Sequence, residues 1–226
     1  MKWFKFSREK YEPKIISYEE VIEMMKGKHC LVDSRGRSSY GRFHLPGAIN
    51  IPDEEFGELC HLLPEGSDTP IIFYCKNIHC VLSPNSARKA ITLGYKNIYI
   101  FKGGVAEWCE KTGTVINEEK ELGRLDKKSF LDFYKNKKDQ IYLIDVNDKF
   151  IYDRGHLKGA LNLPYGYILV NYRNLPKDKP IIFYCSSGSR SEDIYYFLKT
   201  TELFEEGRFY YLSCSVIFED GKAKIV

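Results

Sequence analysis

Short, nearly continuous apolar runs punctuate this chain of 226 residues: CLVD ending at Asp33, IIFYC ending at Cys75 and NIYIF ending at Phe101. YLID ending at Asp145, IIFYC ending at Cys185 and FYYL ending at Leu212 follow. Runs of this length with no polar alternation predict strands buried on both faces. The stretches between them carry a helical period. Tyr18, Val21, Ile22 and Met25 fall on one face, behind Ser17 and Glu20, which predict a capping box. Phe130, Phe133 and Tyr134 repeat the pattern behind Asp126, a predicted N-cap. Strands alternating with helices predict a mostly parallel α/β sheet covered on both faces.

The pattern occurs twice. Asp33, His44 and Asn50 recur 112 residues later as Asp145, His156 and Asn162, inside FHLPGAINIP and GHLKGALNLP. PIIFYC recurs at an offset of 110, which implies a two-residue shortening between matched segments. A period this long reads as domain duplication rather than a solenoid. The predicted domains are residues 1–115 and 116–226, joined within the charged stretch Glu110–Gly123.

Composition narrows the class. A hydrophobic content of 43% and a charged content of 29% are those of an ordinary globular protein, and a net charge of +3 gives no reason to expect nucleic acid as a partner. No apolar run approaches the ~20 residues of a membrane span. The first ten residues lack the apolar core of a secretory signal and read as a surface anchor or a tail packed on the body. Seven cysteines, an odd number at irregular spacing, argue against a disulfide framework and for a reducing compartment. The expected location is cytoplasmic, or periplasmic if a signal has been removed. Cys75, Cys80 and His79 do not match zinc-ligand spacing, so no metal and no cofactor is expected.

The chemistry is expected where each IIFYC strand ends, because ligands of open α/β sheets bind beyond the carboxyl ends of the strands. After Cys185 comes SSGSRS. Gly188 permits a tight turn, Ser191 is a candidate helix cap, and the wrapped backbone of Ser186, Ser187 and Ser189 would aim N–H groups at one point. Such a setting favours a thiolate, and Arg190 adds a fork suited to an oxyanion.

YCSSGSRS resembles the active-site loop of rhodanese sulfurtransferases. LVDSR with FHLPGAINIP, LIDVN with GHLKGALNLP, and LGYKNIYIFKGGVAEW are similar to other blocks of that family. The resemblance covers nearly the whole chain twice. It implies two tandem rhodanese-like domains, each a mostly parallel five-stranded sheet with helices on both faces. It also implies a cysteine that takes sulfane sulfur from a small donor (thiosulfate, polysulfide or a low-molecular-weight persulfide), becomes a persulfide, and passes the sulfur to a thiol, a protein acceptor or cyanide. Cys185 and Cys75 are the catalytic candidates. Ser186, Ser187, Gly188, Ser189 and Arg190, with Lys76 and His79 in the first copy, are the substrate-binding candidates. Cys80 and Cys214 are candidate resolving thiols. Asp33, Arg35, Asp145, His44 and His156 are expected to be structural.

Each copy departs from the pattern. The first has a longer loop, CKNIHCVLS, without the arginine. The second has Asn147 where the first has Arg35, and Cys214–Ser215 where the first has Gly103–Gly104. A non-catalytic binding or regulatory role therefore competes with sulfur transfer. A cysteine-dependent phosphatase is a further alternative, disfavoured because Arg190 follows Cys185 by five positions, one fewer than in related phosphatases.

Overall fold

The computed structural model describes residues 11–66, 68–116, 123–136, 138–219 and 222–226. The first ten residues, and with them the anchor or tail expected there, lie outside the described residues. Two five-stranded parallel sheets form along the chain. The first contains β1 (Lys14–Ile16), β2 (Cys30–Asp33), β3 (Ile49–Asn50), β4 (Ile71–Tyr74) and β5 (Ile98–Phe101), in the order β1-β5-β4-β2-β3. The second repeats that order with β6 (Arg124–Leu125), β7 (Tyr142–Asp145), β8 (Leu161–Asn162), β9 (Ile181–Tyr184) and β10 (Phe209–Leu212).

In the first half the helices are α1 (Tyr18–Met24), α2 (Arg37–Arg42), α3 (Phe56–Leu59), α4 (Leu82–Thr92) and α5 (Gly104–Thr112). The second has α6 (Lys127–Asn136), α7 (Lys149–Arg154), α8 (Tyr165–Asn171) and α9 (Ser189–Lys199). The expected start signals operate. Ser17 and Glu20 form a reciprocal capping box on α1, and Asp126 Oδ1 accepts from Ser129 N at 2.7 Å. Of the expected linker, Glu110–Thr112 closes α5, and residues 117–122 lie outside the described residues.

Alternation along the central strands divides each core in two. On β9, Ile181 and Phe183 face α8 and α9, packing with Tyr165, Ile168, Ile194 and Leu198. Ile182 and Tyr184 face the other way, toward Phe130 of α6. In the first half, Val21 and Trp108 cover one face of the sheet while Phe56, Ala87 and Ala90 cover the other.

The halves diverge after their last parallel strand. Gly104, at φ +58, starts α5 in the first; an added Cβ there would lie 2.2 Å from Cys75 O. The second half instead forms an antiparallel hairpin of β11 (Val216–Glu219) and β12 (Lys222–Ile225). Its Val216 and Ile225 join the core on the Phe130 side of the sheet.

Candidate functional site

Both cysteine loops sit at the carboxyl ends of their sheets and face each other. Cys185 follows β9 and is 2% exposed. Gly188 takes φ +74 at the N-cap of α9, and an added Cβ would lie 2.6 Å from Ser213 O, so glycine is required on both grounds. Ser186 is tied down by Asn147, whose Oδ1 accepts from Ser186 N at 3.2 Å and Ser186 Oγ at 3.0 Å. Ser189 N donates to Ser187 Oγ at 3.4 Å. Among the described residues, the N–H groups of Ser187 and Gly188 have no acceptor. Ser191 does not cap the helix as expected. It lies inside α9, 3.8 Å from Cys185 Sγ, and its hydroxyl donates to Leu212 O at 3.2 Å.

Arg190 differs from expectation. Its guanidinium does not open toward solvent to receive an anion. Nε donates to Glu54 of the first half at 2.6 Å, and Nη2 donates to Asp148 at 3.2 Å. The side chain is 6% exposed, and Nη1 is buried without a partner among the described residues.

The first loop supplies a lid rather than an open cradle. Lys76 does not stand free to bind substrate: Nζ donates to Glu192 at 2.9 Å, to Ser213 O at 3.3 Å and to Gly188 O at 3.5 Å. Asn77 Nδ2 reaches Ser187 O and Ser215 Oγ. The half-buried His79 lies at an open pocket with Gly103, Glu107 and Ser215. Cys75 is fully buried, its Sγ 3.1 Å from Ser83 Oγ. Burial, with Cys80 beside it, pushes the Cys75 thiol well above its ordinary value. Cys80 is equally buried, yet the Cys75 thiol, the Leu82 backbone and the Ser187 hydroxyl outweigh that burial and bring it below.

Cys214 is not placed to resolve Cys185. Cys185 packs with Phe183 and Ile194, whereas Cys214 packs with Leu212 and Val216 on the opposite face of the sheet. Cys214 lies two residues beyond the end of β10 and packs on the Leu212 side.

Asp33 and Arg35 form a buried pair, with Arg35 Nη2 at 2.6 Å from Asp33 Oδ2. Asp145 keeps the backbone bond, accepting from Asn147 N at 2.8 Å, but its Oδ2 has no partner among the described residues. Burial accordingly raises its carboxyl above the ordinary value. His44 and His156 are exposed; each stacks on a tyrosine, Tyr40 or Tyr152, and bonds that tyrosine's carbonyl through Nδ1.

The sequence reading missed the acids that join the halves. Glu192 is buried between Arg42, at 2.7 Å, and Lys76. Asp193 accepts from Ser38 N and Ser39 N at the start of α2, and from Tyr165 Oη. Gly36 makes room: a Cβ there would lie 2.0 Å from Asp193 Oδ2. The available signal was two consecutive acids, Glu192–Asp193, on a helix turn that the motif places indoors.

Two facing parallel sheets, each with a cysteine at the carboxyl end of its central strand, define the architecture. The Rhodanese-like domain family matches residues 17–111 and 127–216, and the chain belongs to that family. A helix-turn-helix-type transcriptional regulator of Mycobacterium tuberculosis is 33% identical over 100 residues, 44% of this chain and 42% of the regulator. The thiosulfate sulfurtransferase GlpE of Shewanella oneidensis is 28% identical over 99 residues, 43% of this chain and 93% of that protein. The crystal structure of a thiosulfate sulfurtransferase from Pseudomonas aeruginosa covers 88% of this chain and 43% of its own, at 17% identity and a TM-score of 0.41. No helix of the described residues is long and apolar enough to cross a membrane.

Proposed function

We propose that the second domain, residues 116–226, is a sulfurtransferase that carries sulfane sulfur on Cys185. The observation that carries this reading is the loop itself. Cys185 ends the central strand, and the Ser187 and Gly188 N–H groups, free of other acceptors among the described residues, follow it into α9. Such N–H groups stabilise an anion at the helix start. Attack of the Cys185 thiolate on thiosulfate forms Cys–S–S⁻ and releases sulfite. Attack of cyanide or a thiol on the outer sulfur then restores the thiolate.

The role of Arg190 is electrostatic. Anchored by Glu54 at 2.6 Å, its charge sits in the first turn of α9, the helix that follows Cys185. A polysulfide or low-molecular-weight persulfide suits the same chemistry. Seven free thiols suit a reducing compartment such as the cytoplasm. The first domain, residues 1–115, acts as a regulatory cover, a reading favoured by the commitment of Lys76 and Asn77 to the second loop.

The test is thiocyanate formation from thiosulfate and cyanide. Cys185→Ser is expected to remove most of the activity without unfolding the protein. Retention of more than about half the wild-type rate sinks the assignment.

A further inference from the structure

Seven positions separate Cys75 from the first residue of α4, Leu82, whereas four separate Cys185 from the start of α9 at Ser189. The surplus residues fold back. Cys80 N donates to Asn77 O at 3.0 Å, and Lys102 Nζ holds Cys80 O at 3.2 Å. This turn seats Cys80 against Cys75 and Leu82 in a small buried cluster separate from the main cores. Both thiols are fully buried in that cluster, and Cys75 Sγ lies 3.1 Å from Ser83 Oγ.

We propose that Cys75 and Cys80 form a second sulfur-handling centre, a dithiol that reduces sulfane sulfur to sulfide. Their shared cluster and the backbone turn between them supply the geometry for closing a disulfide. Cys80, on the turn, is the attacking thiol, and Cys75, with Ser83 Oγ 3.1 Å from its Sγ, is the one that resolves.

The Cys80 thiolate attacks a terminal sulfur of an inorganic polysulfide, forming Cys80–S–S⁻ and expelling the chain one sulfur shorter. Cys75 Sγ then attacks the inner, cysteine-bound sulfur. A Cys75–Cys80 bond forms, the bond to the outer sulfur breaks, and that sulfur leaves with the Cys75 proton as hydrosulfide. Two cysteines are oxidised to one disulfide while one sulfane sulfur is reduced to sulfide. An external dithiol reductant returns the pair to its starting state. The sequence requires no sulfur on Cys185.

The experiment uses the full chain carrying Cys185→Ser, treated anaerobically with sodium polysulfide. Sulfide, free thiols and peptide masses are measured against a polysulfide-only control. The expected result is about one extra sulfide per chain and a reductant-sensitive Cys75–Cys80 cross-link about 2 Da lighter than the two thiols. With Cys75→Ser added, the reaction is expected to stop at a persulfide on Cys80, about 32 Da heavier. Both thiols remaining free, a persulfide persisting on Cys80 beside an intact Cys75, or cross-linking only to other cysteines overturns the proposal. If the double variant does not fold, the peptide map of Cys185→Ser alone decides between the same outcomes. Loss of the Cys185 activity leaves this result untouched, so the two readings fail separately.

Discussion

Glu54, just after β3 of the first domain, holds Arg190 Nε of the second at 2.6 Å. The guanidinium that the loop motif would offer to a substrate is thus part of the contact between domains. Burial pushes the Glu54 carboxyl up while Arg190 draws it down, so the acid depends on its cation. Arg190→Ala is therefore expected to act on stability, costing about 3–5 kcal/mol because it strands a partly buried carboxylate. Chemical denaturation measures this. Unchanged stability with weaker thiosulfate binding would return Arg190 to the substrate-binding role.

Glu192 gives the interface an acid limit. Its burial opposes ionisation, yet Lys76 and Arg42 take it from an ordinary value of 4.5 down to about 2. A lowered folded-state value stabilises the fold above the unfolded-state value and loses that contribution as pH falls toward the folded one. The clamp is expected to weaken between about pH 4.5 and 2, by on the order of 3 kcal/mol in total. Melting curves of wild type and Glu192→Gln should converge over that window. A constant gap between them contradicts the assignment.

The two equivalent aspartates should respond oppositely to loss of charge. Asp33→Asn leaves Arg35 buried without its counter-ion and is expected to cost about 3–5 kcal/mol. Asp145→Asn removes a charge that, among the described residues, has no arginine paired to it as Asp33 has. The raised value of Asp145 means that its ionised form costs stability at neutral pH, and that the cost lifts as pH falls through the raised value. Asp145→Asn is expected to change stability at pH 7 by less than about 1 kcal/mol, or to increase it. Equal losses in the two variants would show that the missing arginine has been compensated.

Lys76 closes the first loop over the second. Lys76→Met keeps the stem and removes the bonds to Glu192, Gly188 O and Ser213 O. Alkylation of Cys185, 2% exposed in the closed arrangement, is expected to accelerate several-fold. An unchanged rate would mean that access does not run between the loops.

Local signals read well from the sequence because their partners are near in the chain. Asn50 and Asn162, matched by the internal repeat, make the same bonds: each side chain bridges the carbonyls of Asp33 and Arg35, or of Asp145 and Asn147. His44 and His156 bind a residue four positions back. The thiol loops stood out because glycine, serine and arginine at fixed offsets have a mechanism. Partners more than 100 residues apart left no such trace. Arg190 carries one formal charge whether it meets a substrate or Glu54, and neither period nor propensity distinguishes those fates. The hairpin β11–β12 was illegible for another reason. Its sequence follows a position where the first copy starts a helix, and the repeat argued for symmetry that the chain does not keep.

The seam between the halves ties the two repeats to each other, and the start of α9 lies in it. Here that helix start carries Arg190, Glu192 and Asp193, all buried, and each is matched by a group on the other half. A second domain cut free would expose a surface of charges fitted to an absent partner, and the first would lose the acid that neutralises Arg42 and Lys76. The two repeats share one set of charges, as a lock shares its bolt with the keeper.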